Sequence, residues 1–244
     1  MTQTTVPEAG APRALSLLER LTGAIFSPKQ TFESVSAHPA WVDVLAVSLV
    51  LSAVLWFAFL STDIGQQAFV DQRYEQMEAS GQAITPQIEQ QMNTIAPIAR
   101  WIVLGFTIVI GPLFVLVISG VLYGVFAALL GGTSTYKQTL AVVTHAGIVM
   151  TAGGLLVVPL NYLRKSMSSA TNLGVFAQML PENSFLVRFL GMIDLLWVWY
   201  LIVLAIGLGV LYRRKTSTIA VGFFAVYLVI ALGYAAYRSS LGGS

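Results

Sequence analysis

Residues 101–130 form a run of thirty positions without a single Asp, Glu, Lys, Arg or His. At a helical rise of about 1.5 Å per residue the run is about 45 Å long, more than the roughly 30 Å hydrocarbon core of a bilayer. Backbone immersed in hydrocarbon must satisfy its own hydrogen bonds, so a segment of this kind folds as an α-helix. Gly111-Pro112 offers a kink but no polar turn, which predicts one kinked, tilted helix rather than two half-spans.

The rest of the chain repeats the pattern. Charged residues make up 10% of the sequence and mean hydropathy is +0.77. A soluble domain needs about 25% charged residues to coat its surface. The predicted fold class is therefore an all-α, polytopic membrane helical bundle with five transmembrane helices. They are expected at residues 41–60, 98–130, 139–163, 190–212 and 217–237, within a membrane domain of residues 41–237. A kink is expected near Pro159 in the third.

Residues 1–13 read as a disordered tail and 238–244 as a second tail. Between the first tail and the first span, residues 14–40 read as amphipathic, interfacial helices. At 100° per residue Ser16, Glu19, Arg20, Gly23 and Ser27 share a polar arc, while Leu15, Leu17, Leu18, Leu21, Ala24, Ile25 and Phe26 take the other side. Ser27-Pro28 then starts a second short helix that stops before Pro39. Residues 61–97 are rich in Gln and acidic residues and read as a hydrophilic helical hairpin, broken at Ser80-Gly81 and restarted at Thr85-Pro86. A further short interfacial helix is expected at residues 173–180.

Five spans place Lys29, Lys137 and Arg213-Arg214-Lys215 on the side of the N-terminus, and the acidic hairpin on the other. The positive-inside bias then favours a bacterial cytoplasmic (inner) membrane with the N-terminus cytoplasmic and the C-terminus outside.

Ile193-Asp194-Leu195-Leu196-Trp197-Val198-Trp199, running into Leu204-Ala205-Ile206-Gly207-Leu208, resembles the fourth-span signature of the Yip family of five-pass membrane proteins. Gly131-Gly132-Thr133-Ser134-Thr135-Tyr136 is similar to the turn that opens the family's third span. Phe26-Ser27-Pro28-Lys29-Gln30-Thr31-Phe32 and Pro39-Ala40-Trp41 resemble the approach to its first. The resemblance implies a five-helix domain with a cytosolic N-terminus. Eukaryotic relatives bind prenylated Rab-type GTPases, but their Asp-Leu-Tyr-Gly-Pro motif is absent here, which argues against GTPase binding by this bacterial-type chain.

His145 is the candidate functional residue within the membrane, since ionisable groups in spans mark proton relays or ligand contacts. Its alternative, and favoured, role is a neutral imidazole that hydrogen-bonds between helices. Asp194 is expected to form an interfacial ion pair with Arg164 or Lys165, and Asp43 one with Lys137 or Arg213 to Lys215. Gly120, Gly124 and Gly207 are expected to let helices approach closely, within the chain rather than between copies.

No catalytic constellation emerges. Cysteine is absent, and two histidines, His38 and His145, are too few for most metal sites. Ser119 lacks the Gly-x-Ser context of an intramembrane serine protease, because Val117 stands at the glycine position. Neither a cofactor nor a metal is expected. No cluster of Lys and Arg interleaved with aromatics suggests nucleic acid. The expected partners are the lipid bilayer and membrane proteins or further copies of the chain. The sequence reading is a non-enzymatic, Yip-type adaptor or organiser; the alternative is a component of a transporter or channel that uses His145.

Overall fold

The computed structural model describes residues 13–78, 80–177 and 184–241, and the predicted N-terminal tail lies almost wholly outside them. Eleven α-helices occur among the described residues, and none of these residues belongs to a strand. The N-terminal pair is α1 (Leu17–Phe26) and α2 (Pro28–Ala37); α3 (Val42–Leu60) is the first apolar span. The hydrophilic hairpin consists of α4 (Asp63–Glu78) and α5 (Pro86–Ile95). Then follow α6 (Ala99–Tyr123), α7 (Tyr136–Ala146), α8 (Ile148–Arg164), α9 (Phe185–Met192), α10 (Leu195–Leu211) and α11 (Thr216–Leu241).

Among the described residues, four stretches are helices long and apolar enough to cross a bilayer: Val42–Leu60, Pro86–Leu129, Tyr136–Arg164 and Thr216–Tyr237. The fifth apolar helix, α10, has 17 residues and so reaches about 25 Å, the lower bound for a span. The result is a polytopic helical bundle.

Local chemistry explains where these elements begin and end. Thr135 caps α7 through its hydroxyl, and Gln138 returns the bond to the Thr135 N–H, a reciprocal capping box. The second span continues helically past Gly111-Pro112 and ends in a π-helical turn, Gly124–Leu129, closed by Leu130 N–H to the Val125 carbonyl at 3.0 Å. Gly131 then takes φ +70°, where any Cβ would be strained. The third span carries its expected kink residue, Pro159, inside a helix that continues past it. The span also breaks at Gly147, between α7 and α8. The last apolar span is Thr216–Tyr237, and its helix α11 continues to Leu241, into the expected tail. Only Leu173–Ala177 of the expected interfacial helix at 173–180 is described, as a short 3₁₀ turn.

The third span is the hub. Residues Thr139 through Ala146 are all buried, and α7 packs against α6, α10 and α2. By contrast α6 turns Phe106, Val109, Phe114 and Val117 outward. These are lipid-facing positions, because a bilayer solvates them as well as a protein core does.

Helices approach closely at several glycines, Gly207 and Gly153 among them. A Cβ on Gly207 would lie 2.6 Å from Val142 Cγ1 and 3.0 Å from the Phe32 ring, so α10 meets both α7 and α2 there. Gly120 makes only van der Waals contact, with Tyr136 at 4.0 Å, and a Cβ on Gly124 would meet nothing within 4 Å. The expected intramolecular role of Gly124 is thus corrected: its face is open, because the chain's neighbouring helices pack elsewhere. Gly207→Val should overpack this contact and lower stability by about 1–3 kcal/mol. Gly124→Ala should leave the unfolding temperature in detergent unchanged or raise it. Thermal unfolding followed by circular dichroism separates the two.

Candidate functional site

Two polar nodes interrupt the apolar bundle, one at each end. The first is built on α1. Ser16 caps this helix by accepting from Glu19 N–H, and the Glu19 carboxylate accepts from Ser16 N–H at 2.8 Å. These bonds, with the backbone bond from Ser16 foremost and the nearby Arg13 charge contributing, hold the Glu19 carboxyl below its ordinary range despite some desolvation. Its capping contribution is therefore full at neutral pH and is lost as pH falls through that depressed range.

One turn into the helix, Arg20 points into the bundle and is only 7% exposed. Its guanidinium spans the carboxylate of Asp43, with Nη1 donating to Oδ1 at 3.1 Å and Nη2 donating to Oδ2. Nη1 also donates to the Ala40 carbonyl at 3.1 Å and lies 3.5 Å from His145 Nε2. The other ring nitrogen of His145, Nδ1, is 2.7 Å from the Ala141 carbonyl. A carbonyl can only accept, so Nδ1 donates and Nε2 presents its lone pair to the arginine. His145 is fully buried.

This node corrects two expectations. Arg20 leaves the polar arc of α1 for the protein interior, because Asp43 and His145 give its charge and donors partners there. Asp43 pairs with Arg20 rather than with Lys137 or Arg213 to Lys215. Lys137 is exposed, and Arg214 donates instead to the Leu130 carbonyl at 3.0 Å. The signal for Arg20 lay in its spacing: it borders the stripe Leu17, Leu21 and Ala24, which faces the bundle.

The second node centres on Asp194, the N-cap of α10. Its Oδ1 accepts from Leu196 N–H at 2.8 Å, while Oδ2 accepts the hydroxyls of Ser169 at 2.5 Å and Thr171 at 2.8 Å. Tyr227 Oη accepts from the Asp194 N–H at 3.0 Å and donates to the Met192 carbonyl at 2.7 Å. Among the described residues no Lys or Arg pairs with Asp194. The expected partner Arg164 reaches only Ser168 Oγ, at 3.5 Å, and Lys165 ends α8 in the left-handed conformation, φ 51°. Hydroxyls arrive where a cation was expected because residues 171–173 pair with 193–195. Leu173 N–H donates to the Ile193 carbonyl at 2.8 Å and Leu195 N–H to the Thr171 carbonyl at 3.0 Å.

Apolar helices flanking a half-buried charge pair, with amphipathic helices docked at one end, define a multi-pass integral membrane protein. A family profile for the Yip1 domain matches residues 22–237, and the chain belongs to that family. It is similar to the membrane protein YknW of Bacillus subtilis (strain 168), with 25% identity over 218 residues, covering 87% of this chain and 88% of that one. No solved structure matches the chain.

Asp43→Asn strands a buried guanidinium and should cost about 2–4 kcal/mol, whereas Arg20→Met leaves a half-exposed carboxylate and should cost less. The double variant should recover part of the loss, a coupling readable in a double-mutant cycle of denaturant unfolding.

Proposed function

We propose that this protein is a non-enzymatic organiser of membrane-embedded partners, acting through the helix pair α1–α2 at the cytoplasmic face of a bacterial inner membrane. The observation that carries this reading is how α1 divides its apolar surface. Leu17, Leu21 and Ala24 face the bundle, while Leu18 and Phe26, 70% and 82% exposed, face away from it. The helix is held by the Arg20–Asp43 pair, so its outward stripe is a fixed surface rather than a free tether. Phe32 of α2 fixes the pair a second time, by its burial against Val142 and Gly207. The occupant proposed for the stripe is an apolar helix of another membrane protein, at the level where α1 meets the lipid.

Lys29 and Arg213 to Lys215 gather around one recess at the same end, which supports a cytoplasmic placement of the N-terminus and an outside C-terminus. The surroundings of His145 favour packing over transport. Its ring is committed to Ala141 and Arg20, and the adjacent membrane-level cavity is lined by Thr144 and Gly147, not by the imidazole.

A photoreactive residue placed at Phe26 should crosslink a discrete membrane protein in cells, and one placed at the outward Glu33 should not. The Phe26 crosslink should fall severalfold in Asp43→Asn. Labelling of lipid alone at Phe26 would end the organiser reading.

A further inference from the structure

Two cavities that the organiser reading leaves unused adjoin each other within the bundle. The first is an apolar cavity of about 330 Å³ between α3, α6, α7, α8 and α10. That volume lies within the range of small-molecule sites. Two of its walls, Phe106 and Phe114, are more than half exposed on the lipid-facing side of α6, so the cavity opens sideways at membrane depth. The second is a chamber of about 440 Å³ beneath the hydrophilic hairpin, lined by Asp194, Asn161, Gln72, Thr171 and Trp56 among others. Ser52, Met150, Thr151 and Trp197 line both, which makes the two spaces neighbours with a common wall.

The chamber's chemistry is one-sided. The Asp194 carboxylate accepts only neutral donors, the Leu196 N–H and the Ser169 and Thr171 hydroxyls, among the bonds of the described residues. Asn161 is 1% exposed, and its Oδ1 is buried without a hydrogen-bond partner. A buried acceptor left unpaired costs about 1–3 kcal/mol, so a donor that reaches it gains correspondingly. A carboxylate and an orphan acceptor together favour a compact cation that carries several N–H donors. The adjoining apolar space, open to lipid, favours a hydrocarbon chain attached to it.

We propose that these adjoining spaces bind a bilayer aminophospholipid, with its primary ammonium head in the chamber against Asp194 and Asn161 and an acyl chain in the apolar cavity. Lateral access selects a lipid already in the membrane over an amine from water. Arg164 and Lys165 end α8 within one turn of Asn161, on the side where the phosphate of such a lipid would emerge. This inference goes beyond the organiser reading and stands independently of it.

The test uses the full chain in detergent, with native mass spectrometry of bound lipid during titration with phosphatidylethanolamine or phosphatidylglycerol. Asp194→Asn keeps a good helix cap while removing the charge, and Asn161→Leu removes the orphan acceptor. Wild type should retain phosphatidylethanolamine about tenfold over phosphatidylglycerol, and each variant should lose about that factor, equivalent to 1.4 kcal/mol. Unfolding temperatures are read alongside, and if one variant proves unfolded the other decides. Equal retention of the two lipids, or unchanged retention in the folded variant, overturns the proposal. So does competition by free ethanolamine at concentrations matching the lipid, since the acyl chain would then contribute nothing.

Discussion

A guanidinium cannot shed its proton inside a protein, so burying one obliges the structure to neutralise it on the spot. Arg20 imposes that requirement at the α1 end of this bundle. Asp43 supplies the charge, while the Ala40 carbonyl and His145 Nε2 lie against the same guanidinium nitrogen. Each partner comes from a different part of the chain: the first turn of α3, the link before it, and the end of α7. Satisfying one side chain therefore fixes three backbone segments relative to α1. The break at Gly147 follows directly after His145 and lets α8 leave in its own direction.

The neighbouring contacts tie the rest of that end to the same arrangement. Phe32 on α2 fills the space that Gly207 leaves between α10 and α7. Gln138 donates to the Ser36 carbonyl at 2.8 Å, and Thr139 bonds to Tyr212 at 2.7 Å, with the Tyr212 ring stacked on Phe126. This end is thus densely bonded. The opposite end is built differently, from the hairpin α4–α5 and the hydroxyls gathered around one carboxylate.

The apolar spans were legible because periodicity is irrelevant to a helix solvated by lipid; the absence of charge alone marks it. The helix starts at Ser27-Pro28 and Thr85-Pro86 were legible, as local chemistry sets them, whereas the capping boxes at Ser16 and Thr135 went unread. The electrostatic partners were not. Arg20 read as a solvent-facing residue because the helical wheel sorts polar from apolar and cannot say against what the wheel rests. Yet Asp43 and His145, two polar groups within apolar spans, each called for a partner, and the nearest unassigned cation on the same side was Arg20. Asp194 was misjudged for a different reason. Charge arithmetic considers only charges, and the hydroxyls of Ser169 and Thr171 reach it through a loop whose path no periodicity records. Gly207 and Gly124 look alike in sequence, and only the packing of α2 separates them.

The central claim is that α1 and α2 are integral parts of the bundle, held by the buried Arg20 pair, and not helices that come and go at the membrane surface. Hydrogen exchange by mass spectrometry on the full chain in lipid nanodiscs tests this most directly. The account predicts that amides of α1 and α2 exchange as slowly as those of α7, and far more slowly than those of the hairpin α4–α5. Exchange of residues 17–37 on the timescale of the hairpin or faster would contradict it.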